Sequence, residues 1–216
     1  MIGGFFGAGK TTALARLAKH YTDEGRRVGL VTNDQAYDLV DTQSLRAQGF
    51  NVGEVPGACF CCKFDDLVET VSQLSEDATP DILLAEPVGS CTDLVATVIE
   101  PLSQLHGAQY EVGRLAVLLK PEHGQRILRN DSQLGFSPKA AYIFIKQIEE
   151  ADIVVINKID KLSPDERDEL VDLVHTRFPG KEVLTASLKN GDGWQELVKA
   201  MEQPRNKKPA MQVDYD

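Results

Sequence analysis

Near the start of the chain, Gly4-Phe5-Phe6-Gly7-Ala8-Gly9-Lys10-Thr11 sets a lysine and a hydroxyl directly behind a run of glycines. The spacing is G-x4-G-K-[ST], and each residue type has a chemical task. Glycines let the backbone adopt positive φ, so the N–H groups from Gly7 through Ala8, Gly9, Lys10, Thr11 and Thr12 can wrap a phosphate. A helix starting there would add the positive end of its dipole. Lys10 supplies a point charge to the β and γ phosphates, and the Thr11 hydroxyl is a ligand for Mg2+.

A second set lies far along the chain. In Asn157-Lys158-Ile159-Asp160, the two acceptor oxygens of Asp160 can take both the N1–H and the N2 amine of guanine, which adenine does not offer. Asn157 can complement the base edge, and the stem of Lys158 can lie over the ring. Ser187, ending Thr185-Ala186-Ser187, is expected to close over the base with backbone N–H groups. GTP and GDP are the nucleotides this set selects.

Between the two sets, Glu86-Pro87-Val88-Gly89 places a carboxylate and a glycine after a buried apolar run. Glu86 can hold Mg2+ through water, and Gly89 can bring its N–H toward a γ phosphate. Asp34, in Thr32-Asn33-Asp34-Gln35, is either a second Mg2+ carboxylate, a residue that orients water, or a plain turn aspartate. Lys10, Asp34 and Glu86 are thus the candidates for acting on the reacting phosphate. No glutamine or arginine is placed by sequence to orient water or to neutralise transition-state charge. Slow intrinsic hydrolysis, accelerated by a partner or a second subunit, is expected.

Cys59, Cys61 and Cys62 put three sulfurs within four residues. Thiolates are soft ligands that suit Zn2+ or another transition metal, and three leave a fourth position open for transfer. The alternative is a set of small buried hydrophobes. Cys91 is read as a buried thiol, and His20, His106, His123 and His175 as surface residues without an i, i+4 metal partner. Trp194 is expected to pack the last helix.

The elements that must hold these residues follow from periodicity. Short apolar runs alternate with helical stretches, the pattern of an α/β P-loop NTPase: a mostly parallel sheet with helices on both faces. Strands are predicted at 27–32, 82–86, 113–119, 153–157 and 182–185, after a first strand of unusual shortness. Helices are predicted at 10–24, 64–74, 93–104, 138–150, 164–177 and 193–201. Residues 1–201 read as one nucleotide-binding domain and 202–216 as a C-terminal tail or linker, compatible with a piece of a longer protein.

Composition narrows the partners. Thirty-three acidic residues against 23 basic ones give a net charge of −10, so no attraction to nucleic acid or anionic lipid is expected. No apolar run approaches the ~20 residues of a membrane span. A cytoplasmic protein whose phosphate affinity is built locally is the expectation.

In their order, these motifs resemble the CobW/HypB/UreG family of metal-trafficking P-loop GTPases over essentially the whole chain. The CobW-like branch is the nearer match, through residues 3 to 12, Cys59-Phe60-Cys61-Cys62 as its C-x-C-C, Glu86-Pro87-Val88-Gly89 as its E-x-x-G, and Asn157-Lys158-Ile159-Asp160. Residues 32–35 instead look like the urease-linked relatives, and the further C-terminal domain of many CobW-like proteins has no counterpart here. The resemblance implies slow GTP hydrolysis, often with nucleotide-dependent dimerisation, coupled to delivery of a metal such as zinc or cobalt to a client protein or to cobalamin synthesis. A regulatory GTPase switch with structural cysteines is the alternative. A P-loop kinase fits less well, because it has no use for a guanine signature.

Overall fold

The computed structural model describes residues 1–34, 40–129 and 137–205, without the side chains of residues 34, 40, 41, 77 and 78. The described residues form seven strands: β1 (Ile2–Gly4), β2 (Val28–Asp34), β3 (Asn51–Pro56), β4 (Ile82–Glu86), β5 (Ala116–Leu119), β6 (Ile153–Asn157) and β7 (Glu182–Ala186). They pair in the orders β1-β5-β6-β7 and β3-β2-β4, with every pair parallel, and β4 lies against β1. The helices are α1 (Lys10–Asp23), α2 (Val40–Ala47), α3 (Phe64–Ala78), α4 (Glu100–Leu105), α5 (Pro121–Leu128), α6 (Pro138–Glu150), α7 (Pro164–Arg177) and α8 (Trp194–Met201). No described helix is long and apolar enough to cross a membrane.

β5 and, up to Asn157, β6 are apolar because both of their faces are covered. Ala116 and Leu118 of β5, with Ile153 and Val155 of β6, pack with α1 and α8. Their neighbours Val117, Leu119, Val154 and Ile156 pack with α5, α6 and α7. A third cluster joins Val31, Val55 and Phe60 to Leu67, Val71 and Leu74 of α3. The parallel sheet with helices on both faces is therefore present.

Several elements differ from the sequence expectation, each for a local reason. β3 was not predicted, because Gly53 and Glu54 break its apolar alternation; it is an outer strand of its group and ends on Pro56, where a missing N–H is tolerated. A Cβ at Gly53 would lie 2.4 Å from Thr70 Cγ2, so the close seat of α3 on β3 is what the glycine serves. Helix α5 was missed because Gly124 sits inside it, where a Cβ would meet Leu119 and Leu170 at 3.0 Å each. The polar α2 was missed too. The helix expected at 93–104 is instead a π-helical turn, Val95–Ile99, running into α4.

The expected tail starts as part of the body. Arg205 is nearly buried and pairs with Asp152 at 3.0 Å and Glu100 at 3.2 Å, while residues 206–216 lie outside the described part.

Candidate functional site

β1 is short because Gly4, at φ 135°, already begins the loop; a Cβ there would lie 2.3 Å from the Leu118 carbonyl. Gly7 and Gly9 follow at φ 73° and 99°. Gly9 caps α1 with no side-chain bond to the first-turn N–H groups, which stay available to an anion. Lys158 Nζ donates to the Gly7 carbonyl at 2.7 Å and Asn157 Nδ2 to that of Ala8 at 2.8 Å. Peptide planarity then turns the N–H of Gly9 away from Asn157.

Glu86, at the end of β4, is nearly buried, and its Oε1 accepts from Thr11 Oγ1 at 3.0 Å while Lys10 Nζ stands 3.7 Å away. A hydroxyl and a buried carboxylate oxygen converging beside the phosphate loop are the hard ligands that Mg2+ takes. Gly89 approaches the loop so closely that a Cβ would lie 3.2 Å from Phe6 N and from the Phe6 ring. β2 places Asp34 opposite Pro56, but its side chain, like Gln35, lies outside the described part.

Around the Asn157-to-Asp160 turn lies an open pocket of about 340 Å³ lined by Gly9, Thr12, Asn157, Lys158, Asp160, Lys161, Ser187 and Lys189. Lys158 holds the left-handed conformation, φ 66°, that turns the chain out of β6. The Ser187 hydroxyl donates to Asp160 and holds its carboxyl below the usual range. The Ser187 N–H is bonded to the Asp192 carbonyl at 3.0 Å, so that group is already engaged within the protein. Asn157 also braces the turn, its Oδ1 accepting from Lys158 N at 2.8 Å and Leu188 N at 3.1 Å. Lys161 and Lys189 were not anticipated; neighbourhood to the motif was their only sequence signal.

The thiols sit on the turn after β3, where Gly57 takes φ 85° and the buried Phe60 pins the loop to α3. Cys59 Sγ lies 2.8 Å from Cys61 Sγ and 3.2 Å from Cys62 Sγ, and Cys61 and Cys62 are 4.0 Å apart. Burial would raise Cys59, but hydrogen bonds from Cys61, Cys62 and Cys91 outweigh it and hold its thiol below the ordinary value. Burial and the neighbouring Cys59 push Cys61 up to about 12, and the hydrogen bond with Cys59 raises Cys62. Cys91 is buried as expected, and that burial, with the neighbouring Cys59, raises its thiol.

Helix α6 clamps the segment that leads from Glu86 to Cys91 and beyond. Buried Gln147 donates to the carbonyls of Gly89 at 3.0 Å and Cys91 at 2.9 Å, and Glu150 accepts from the N–H groups of Asp93 and Leu94. Neither residue carries a motif. Of the histidines, His175 is exposed, while His20, His106 and His123 are half-buried. His20 Nε2 stands 3.3 Å from Glu24, four residues on and near Glu202, at the end of α1 opposite the phosphate loop.

A glycine loop feeding a helix, a carboxylate at the end of the adjacent strand and a pocket at the carboxyl edge of a parallel sheet define a P-loop nucleotide-binding domain. Residues 1–185 match the model of the CobW/HypB/UreG nucleotide-binding domain. The chain belongs to that family. It is 30% identical over 179 residues to the zinc chaperone YeiR of Escherichia coli strain K12, a match covering 79% of this chain and 49% of YeiR. It is 27% identical over 214 residues to the urease accessory protein UreG of Metallosphaera sedula, covering 91% and 89% of the two chains. HypB from Helicobacter pylori, solved in complex with nickel, shares the fold with a TM-score of 0.63 at 19% identity, over 96% of this chain and 89% of HypB. The chain spans only 48 to 59% of the zinc chaperones it matches.

Proposed function

We propose that this chain is the GTP-hydrolysing domain of a metallochaperone, in which nucleotide state governs binding and release of a transition metal, zinc in the first instance, for a client protein. The observation that carries the reading is the group of three sulfurs within 4.8 Å of one another, held on the turn that follows β3, which pairs with β2, which in turn pairs with the Glu86 strand. Soft thiolates on a partly exposed turn suit a metal that must leave again. The zinc chaperone relatives favour zinc.

In this reading the loop from Gly7 to Thr12 takes the phosphates, with Lys10 on the β and γ groups and the Gly89 N–H near the γ group. Thr11 and Glu86 would hold Mg2+, with Asp34 as a further ligand; the ion supplies positive charge to the phosphate oxygens when bound. Asp160 reads guanine, oriented by Ser187, while Asn157 and Lys158 brace the loop. Cys59, Cys61 and Cys62 hold the cargo. Free thiols fit work in the reducing cytoplasm, and a nucleotide-dependent dimer is the assembly in which the second copy contributes to hydrolysis.

Chelator competition for Zn2+ on protein loaded with Mg-GTP, Mg-GDP or no nucleotide tests the reading. An affinity shift of about tenfold between nucleotide states, roughly 1.4 kcal/mol, supports it. Equal affinity in all states, or none, would leave a GTPase switch with structural cysteines.

A further inference from the structure

One buried side chain joins the two halves of this site. Asn33 occupies the end of β2, between β3 and β4, and is 7% exposed. Its Nδ2 donates to the carbonyls of Val55 at 2.9 Å and Ala58 at 2.6 Å. Its Oδ1 accepts from the Val88 N–H at 3.4 Å. Ala58 immediately precedes Cys59, and Val88 lies between Glu86 and Gly89, the residues that touch the phosphate loop. A single carboxamide therefore bonds the thiol turn on one side and the γ-phosphate segment on the other.

We infer that Asn33 is the positioning residue through which occupancy of the phosphate site sets the arrangement of the thiols. This rests on the metallochaperone reading above. The carboxamide is planar and rigid, so drawing Oδ1 toward Val88 swings Nδ2 against the Val55 and Ala58 carbonyls. Leaving those carbonyls without a donor is costly at a buried position, so the turn follows the amide. The Val88 bond is the longest of the three and therefore the one most sensitive to a shift of the 86–89 segment. A γ phosphate that engages Gly89 and takes Lys10 and Thr11 away from Glu86 moves that segment. Asn33 then relays the movement to the residue next to Cys59.

The test compares Zn2+ dissociation constants, by chelator competition, with Mg-GDP and with a Mg-bound non-hydrolysable GTP analogue, in the full chain and in Asn33→Ala and Asn33→Ser. The unaltered chain is expected to show about a tenfold difference between the two states. Both variants still bind zinc, but their two constants converge to within about twofold. A merely structural role would weaken zinc in both states alike and keep the ratio, and that result overturns the inference alone. A ratio near one in the unaltered chain overturns both this inference and the proposed coupling. If the variants do not fold, the Asn33 side-chain amide signals in 15N-labelled unaltered protein decide: they shift between GDP and the analogue if Asn33 is the relay, and unchanged signals overturn it.

Discussion

Asp160 offers two acceptor oxygens, one of which takes a hydrogen bond from Ser187, and guanine presents two adjacent donors. Asp160→Asn replaces one acceptor with an N–H that faces the guanine N2 amine. GTP affinity should fall on the order of a hundredfold, while xanthosine triphosphate, with a carbonyl at that position, should bind the variant better than GTP. Competition titrations read this directly, and unchanged GTP preference would remove Asp160 from the base site. The sign of the pH effect follows from the depressed carboxyl: Asp160 stays ionised down to below the usual aspartate range, so it does not limit GTP binding as pH falls toward 5. The thiols behave oppositely. Cys61 and Cys62 are raised, so they hold protons near neutrality and must lose them to bind metal, whereas Cys59 is already lowered. Zinc affinity should rise with pH, with protons released as the ion binds. Calorimetry in buffers of different ionisation enthalpy counts them, and release of none would mean the thiols are not the ligands. Residues of this kind were legible in the sequence because their chemistry depends on type and spacing. Asn33 was not, since an asparagine at a strand end announces nothing until Val55, Ala58 and Val88 are brought around it.

The same limit applies to the elements. Strands β4 and β6 and helices α6 and α7 were predicted with their observed boundaries, because each is a clean apolar run or a helix opened by a Ser-Pro pair; Ser163 even forms a full capping box with Glu166. Strand β3 was hidden because its second apolar residue, Val55, falls out of register with Val52, and α5 because of Gly124. Their glycines answer to neighbours across the fold, which no local pattern records. Helix α6 shows what such hidden contacts do. Gln147 donates to two carbonyls of the 89–91 segment from a position 3% exposed. Gln147→Ala would leave Gly89 and Cys91 carbonyls without that donor, at a cost of about 1–3 kcal/mol. For a chain of this size, that corresponds to roughly 2–4 °C of melting temperature per kcal/mol. Thermal unfolding of the variant checks it, and an unchanged melting temperature would show that water replaces the amide and that α6 does not brace the segment.

At the scale of the whole molecule, hydrolysis needs positive charge on the transferring phosphate, and the described arginines with defined partners spend theirs elsewhere. Arg16 bonds the Leu188 carbonyl and stacks on Trp194, Arg114 pairs with Glu182, Arg129 with Glu169, and Arg205 with Asp152. Lys10 is the lysine within the phosphate loop, and in this structure it already faces Glu86, while Lys158 bonds the Gly7 carbonyl from outside. The overall charge of −10 adds no help, since the field of the molecule opposes an incoming nucleotide. A GTPase lacking an arginine finger turns over slowly, on the order of 10⁻⁴ to 10⁻³ per second. Dilute protein should therefore hydrolyse GTP in that range, and the rate per chain should climb with protein concentration, or on addition of a client, when a second surface supplies the missing charge. Single-turnover hydrolysis measured across a concentration series separates the cases. A rate near one per second that does not depend on concentration would mean that the site is catalytically complete within one chain. The metal cycle would then run on an internal clock instead of being triggered by arrival of the partner.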